Sequence, residues 1–146
     1  MKILVVNGPN LNLLGEREPS VYGDDSLRAI NDGLEREARD RSCEIEFFQS
    51  NSEGGIIDRL HSARHEFDGV ILNAGAYTHY SYAIRDAIAA IKIPVIEVHL
   101  SNVNNRDEFR KVSVIAPVCK GSIAGFGKFG YTLALMALVN MPGGKN

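Results

Sequence analysis

Only two cysteines, Cys43 and Cys119, occur in the 146 residues. Two isolated thiols make neither a disulfide framework nor a paired-thiol metal motif, and their scarcity suits a reducing compartment, so both read as packing residues. Charge of one sign is also scarce, with a formal net charge of -2 at 23% charged residues. Without a basic excess the chain lacks the electrostatic footprint that a phosphate backbone demands, which argues against nucleic acid as a partner. Long apolar runs are missing. The most apolar stretch, YTLALMALVNM at 131–141, is far shorter than the ~20 residues of a membrane span. The opening MKILVVNG has neither a secretory h-region nor a cleavage site, so a cytoplasmic location is expected, away from any membrane. There is no internal repeat and no low-complexity linker. The length suits a single domain over 1–146, with about 141–146 as a frayed tail.

What the sequence does contain is alternation. Short β-branched runs at 3–6, 44–49, 69–73, 94–99 and 121–126 read as strands. Between them lie helical stripes: Leu27, Ile30, Leu34 and Ala38 behind a Ser26 cap; Ile56, Leu60, Ala63 and Phe67 behind Ser52; and Ile84, Ala87, Ile88 and Ile91. A last helix covers about 128–140. Five strands with helical crossovers predict an α/β fold, a flavodoxin-like doubly wound parallel sheet of order 2-1-3-4-5. The last helix is apolar nearly all round, more than one sheet face can cover, so the chain is expected to form a homo-oligomer.

In such sheets, ligands sit beyond the carboxyl ends of the strands. The first strand runs into NGPNLNLLGEREPSVYG, the third into AGAYTHYS, and the fourth ends in EVHLSN. The first of these loops is long for a strand-to-helix connection, as binding loops and lids often are. Glu97 and His99 share a strand face through the period of two. A carboxylate beside an imidazole fixes its tautomer and favours its protonated form, which suits a proton donor; the alternative is a structural ion pair, and position at the carboxyl edge favours function. His79, in a loop before a helix, could orient a ligand or cap the turn. His61 and His65 have i, i+4 spacing but lack the glutamate and third ligand of a zinc site, and no metal is expected. GFGKFG matches G-x-G-x-x-G through Gly125, Gly127 and Gly130, but the chain ends before the acidic ribose-binding residue could appear. These glycines are assigned instead to close helix–sheet approach. A phosphotransfer receiver would want acidic residues where this chain has Asn7 and Asn73, and a lysine where it has Gly125. Neither a G-x-S-x-G elbow nor a Walker loop occurs.

Acid–base chemistry by Tyr22 and His99 remains. A free phenol is only ~0.1% ionised at pH 7, and a cation within a few ångströms lowers its pKa by ~1–3 units. Arg17 can be that cation, and a shift of about two units makes roughly a tenth of the phenol a base.

With these residues in place, the chain resembles the type II 3-dehydroquinate dehydratases over essentially its whole length. The blocks that carry the likeness are NGPNLNLLGEREPSVYG, QSNSEG, ILNAGAYTHYS, IRDA, IEVHLSN, RDEFR and GFGKFGY, in that order. The resemblance implies a flavodoxin-like fold assembled as four trimers in a dodecamer. It also implies a cofactor-free anti elimination of water from 3-dehydroquinate, giving 3-dehydroshikimate in the shikimate pathway. Carried over by position, Tyr22 is the base that removes the proton beside the ketone, with Arg17 as its activating partner. Asn10 holds a water against the enolate oxygen, and His99 protonates the departing hydroxyl with Glu97 orienting it. Asn73, His79, Arg110 and the pair Leu100–Ser101 match substrate contacts, the pair facing the carboxylate. Asp86 matches a residue that reaches substrate from a neighbouring subunit, and Arg106 a second arginine near the tyrosine. Tyr80 stands where the family usually carries a small residue such as threonine, and Ala74 where many members have proline; both flank His79. Two other classes stay open on the residues alone: a nucleotide- or flavin-binding module built on GFGKFG, and a scaffolding domain whose last helix is a partner surface.

Overall fold

A computed structural model of the protein describes residues 1–16 and 25–142. The apolar runs form β1 (Lys2–Asn7), β2 (Glu44–Gln49), β3 (Gly69–Asn73), β4 (Val95–His99) and β5 (Gly121–Ala124). All pairings are parallel and the order is β2-β1-β3-β4-β5, the flavodoxin-like arrangement expected. The helices are α1 (Leu27–Asp40), α2 (Glu53–Ala63), α3 (Tyr82–Ile91) and α4 (Phe129–Asn140). Three begin at a serine whose hydroxyl accepts a backbone N–H three residues on: Ser26 from Ala29, Ser52 from Gly55 and Ser81 from Ile84. The third cap went unread because AYTHYS offers several polar residues in a row.

The helices cover both faces of the sheet, which is why β3 and β4 are buried along their whole length. Residues alternate along β1: Leu4 and Val6 join the core under α2 and α3, with Ile56, Leu60, Val70 and Ile84. Ile3 and Val5 join the opposite core under α1 and α4, with Ile30, Leu34, Ile71 and Leu135. On α4, Tyr131, Ala134, Leu135 and Leu138 are buried against the sheet, whereas Phe129 and Met136 remain exposed on the single chain. Among the described residues, no helix is long and apolar enough to cross a membrane.

One expectation is corrected. The crossover from β4 to β5 carries no α-helix; it is built from three short 3-10 turns, Val103–Asn105, Glu108–Arg110 and Ala116–Val118. Asparagine and serine side chains take the backbone bonds that a helix would need: Asn102 accepts from the Asn104 N–H, and Ser113 from the Ala116 N–H. The assignment of the GFGKFG glycines changes as well. Gly125 and Gly127 have φ of +95° and +58°, so the turn itself requires them. A Cβ on Gly130 would meet Val98 and Ile123 only at ordinary van der Waals distance.

The close approach lies elsewhere. The Gly8 N–H donates to the Asn73 carbonyl at 2.8 Å, and a Cβ on Gly8 would fall 2.6 Å from the carbonyl oxygen of Ala74. Backbone meets backbone there, so neither side can yield cheaply. Gly8→Ala should cost about 1–3 kcal/mol, as overpacking does. Urea denaturation checks this, and an unchanged midpoint would mean that the two loops part freely.

Candidate active site

Parallel pairing aligns the carboxyl ends of the strands, with Asn7 in register with both Gln49 and Asn73, and His99 with Ala124. The loops leaving this edge enclose a pocket lined by Asn10, Asn73, His79, His99, Leu100, Ser101, Arg106 and Arg110, together with Pro9, Leu11, Gly75, Ala76 and Val103. Eight positions singled out from the sequence therefore share one cavity. Its described lining carries two guanidiniums and no carboxylate, which favours an anionic ligand.

Asn10 begins the first 3-10 turn, Leu11–Leu13, in the left-handed region at φ 69°, a conformation asparagine tolerates. Its N–H donates to Asn51 Oδ1 at 3.0 Å. Gln49 Nε2 donates to the same oxygen and to the Gly8 carbonyl, each at 3.1 Å, while the Tyr77 hydroxyl donates to the Asn51 carbonyl at 2.8 Å. The QSN segment after β2 thus braces the loop after β1.

Asn73 is held from two sides: its Oδ1 accepts from Gly75 N–H at 3.2 Å and its Nδ2 donates to Tyr131 Oη at 3.1 Å. The Tyr131 hydroxyl passes its own proton to Asn7 Oδ1 at 2.6 Å. This directed chain fixes which way the Asn73 amide faces. Burial pushes the Tyr131 phenol up, against the smaller opposing effect of Asn73, so it stays neutral and cannot serve as a base. Sequence reading missed Tyr131, because a tyrosine inside an apolar helix looks like core.

Glu97 and His99 lie on one face of β4, with His99 Nε2 3.5 Å from Glu97 Oε1. Burial by itself would raise the Glu97 pKa, but His99 and the hydroxyls of Ser113 and Ser122 outweigh it and hold the carboxyl below its ordinary value. Across the pocket, His79 Nδ1 sits 2.7 Å from the Val112 carbonyl. Because that oxygen only accepts, Nδ1 carries the proton. Burial, together with the charges of His99, Arg110 and Arg106, outweighs the Val112 bond and lowers the His79 pKa. A neutral His79 then offers Nε2 as an acceptor for a ligand hydroxyl. Phe109 meets His79 edge-on at 6.2 Å, and the Arg110 guanidinium lies over Phe109 at 4.8 Å. Arg106 Nη1 donates to Ser101 Oγ at 3.2 Å.

A family model described as dehydroquinase class II matches residues 1–139. The chain belongs to the class II dehydroquinase family. It is 59% identical over 138 residues to a 3-dehydroquinate dehydratase of Bacillus mycoides (strain KBAB4), covering 94% of each chain. The same identity and coverage relate it to the 3-dehydroquinate dehydratase of Bacillus cereus (strain AH187). Among solved structures, the type II dehydroquinase of Butyrivibrio crossotus DSM 2876 matches with a TM-score of 0.93 at 51% identity, over 94% of this chain and 97% of that one. The type II dehydroquinase of Propionibacterium acnes matches with a TM-score of 0.93 at 40% identity, over 96% and 97%.

In this dehydroquinase chain neither of the two residues noted beside His79 lines the cavity. Ala74 is buried, and Tyr80 is exposed with its ring edge-on to Tyr77 at 5.7 Å. Asp86 is exposed on α3 and does not line the pocket of its own chain. Arg17 and Tyr22 lie outside the described residues. His61 and His65 are both exposed. Among the described residues, no group of three or more histidine, cysteine, aspartate or glutamate side chains could hold a metal ion. Cys43 and Cys119 are both free and half-buried. Burial and the nearby Glu97 charge push the Cys119 thiol up to about 12, which makes it a packing residue rather than a nucleophile.

Proposed function

We propose that this protein removes water from 3-dehydroquinate to give 3-dehydroshikimate, in the cytoplasm and within the shikimate pathway, by acid–base chemistry that needs no cofactor. The observation that carries the reading is the convergence on one pocket of His99, backed from outside the lining by the buried Glu97, and the guanidiniums of Arg106 and Arg110, in a chain of the class II dehydroquinase family.

In this reading the Tyr22 phenolate, stabilised by Arg17, takes the proton beside the ketone. The electrons move onto the carbonyl oxygen, and Asn10 holds a water against the resulting enolate. Collapse of the enolate expels the hydroxyl on the opposite face, and His99 gives that hydroxyl its proton so that water leaves. Glu97 orients His99 and stabilises the imidazolium before transfer. The substrate carboxylate lies against the Leu100–Ser101 backbone and the Ser101 hydroxyl, while Asn73, His79 and Arg110 take the ring hydroxyls. Arg106, which donates to Ser101, supports that corner and adds positive charge. Preorganised charge around the enolate supplies much of the acceleration, since these donors need no reorganisation during the reaction.

Incubation with 3-dehydroquinate should produce the ultraviolet absorbance of a conjugated enone; no absorbance change would overturn the reading. The finer assembly, four trimers in a dodecamer with Asp86 of one subunit completing a neighbour's site, belongs to the same proposal. It is supported by the exposure of Tyr82 and Asp86 on α3 and of Tyr80 just before it. Sedimentation should give the mass of twelve 16.0 kDa chains, and a monomer would refute it.

A further inference from the structure

We propose that Ser113 and Ser122 form a clamp that sets the Glu97 carboxylate against His99, and that the strap carrying Ser113 ties this acid pair to the binding histidine, His79. The inference rests on the reading of His99 as the acid. Glu97 is 2% exposed. A carboxylate at that depth is tolerated as an anion only when donors replace its lost water. Ser113 Oγ donates to Oε2 at 2.5 Å and Ser122 Oγ donates to Oε1 at 2.9 Å, so both oxygens are occupied.

The two serines arrive by different routes. Ser122 is the register partner of Glu97 across β4 and β5, so sheet pairing alone delivers it. Ser113 comes from the helix-free crossover. Its oxygen accepts the Ala116 N–H at 3.0 Å, and its single proton is therefore committed to Glu97. Its neighbours point the same way: the Val112 carbonyl holds His79 Nδ1 at 2.7 Å, and the Val114 N–H donates to the Thr78 carbonyl at 2.9 Å. Arg85 Nη1 from α3 donates to the Val114 carbonyl at 3.3 Å and anchors the strap from outside. Three consecutive residues thus address His79, Glu97 and the 3-10 turn Gly75–His79 that carries His79.

The clamp matters because His99 Nε2 is buried with no hydrogen-bond partner, 3.5 Å from Glu97 Oε1. Catalytic hydrogen bonds are often long before substrate arrives and tighten with it. A carboxylate held by two hydroxyls is already positioned for that tightening, and it directs Nε2 inward so that Nδ1 is the nitrogen left for substrate. An unclamped one would rotate away from the imidazole. Ser113 and Ser122 are positioning residues; neither lines the pocket.

The test compares wild type, Ser113→Ala, Ser122→Ala and Ser113→Thr in steady-state turnover of 3-dehydroquinate across pH. Ser113→Ala should lose about ten- to a hundredfold in kcat, the size expected for one hydrogen bond to a charged group, with KM within about threefold of wild type. The titratable groups around Glu97 are His99 and Cys119, and the thiol stays neutral. With one donor gone, the Glu97 pKa rises, so a second acid limb of the kcat profile, below the limb set by Tyr22, should move to higher pH. Ser113→Thr keeps the hydroxyl and should restore both rate and limb. Ser122→Ala, on the edge strand, should shift the limb the same way without disturbing the fold, which covers the case in which Ser113→Ala misfolds. Unchanged kcat and acid limb in both alanine variants would overturn the clamp, as would a rise in KM alone. If wild type itself gave no turnover, the functional reading would fail while the clamp remained testable. The imidazole nitrogen resonances of His99 should still differ between wild type and either alanine variant, and identical spectra would overturn it.

Discussion

Tyr22→Phe should lower kcat by about 10²–10⁴-fold, the range general base catalysis supplies, while substrate binding changes little. The pocket itself motivates this. No tyrosine, lysine or carboxylate lines it among the described residues. Tyr131 is raised out of reach by burial, and the Tyr77 hydroxyl is committed to the Asn51 carbonyl. A proton beside a ketone needs a stronger base than an amide or hydroxyl, and a phenolate next to a guanidinium is one that can exist at neutral pH. Steady-state rates combined with calorimetric binding of 3-dehydroquinate separate the two effects. Near-normal turnover would move the base to His79, the pocket group whose Nε2 lone pair is free when Nδ1 bonds Val112.

His99→Ala should also cost about 10²–10⁴-fold, for a different reason. Hydroxide is a poor leaving group, so expelling it without a proton raises the second barrier and leaves the first alone. The two variants should therefore part company in heavy water. In His99→Ala the proton beside the ketone should exchange with solvent faster than product forms, because the enolate is made and returns. In Tyr22→Phe no exchange should be seen by proton NMR. Exchange lost equally in both would mean that His99 takes part in forming the enolate, and the division of roles would have to be redrawn.

Most of the scaffold was legible in one dimension. The stripe Ile56, Leu60, Ala63 and Phe67 is fully buried, as is GVILN, and the Ser26 and Ser52 caps accept the bonds expected of them. These features arise within a few residues of chain, where periodicity reports directly on which side faces the core. Eight of the positions carried over from the family line one cavity, a convergence that strand order and not local pattern brings about. The crossover after His99 was misread because turn-forming asparagines and serines leave no periodic trace.

The sequence alone determined most of the element types, the faces they bury, and the family to which the chain belongs, because local periodicity and motif spacing are properties of the chain before it folds. Only the tertiary structure decided that Gly8 must approach Ala74, that Tyr131 reaches Asn7 across 124 positions, and that Ser113 and Ser122 close on Glu97. Those contacts depend on strand order and register, which bring distant residues within hydrogen-bond distance, and no local pattern specifies which distant donor meets which acceptor.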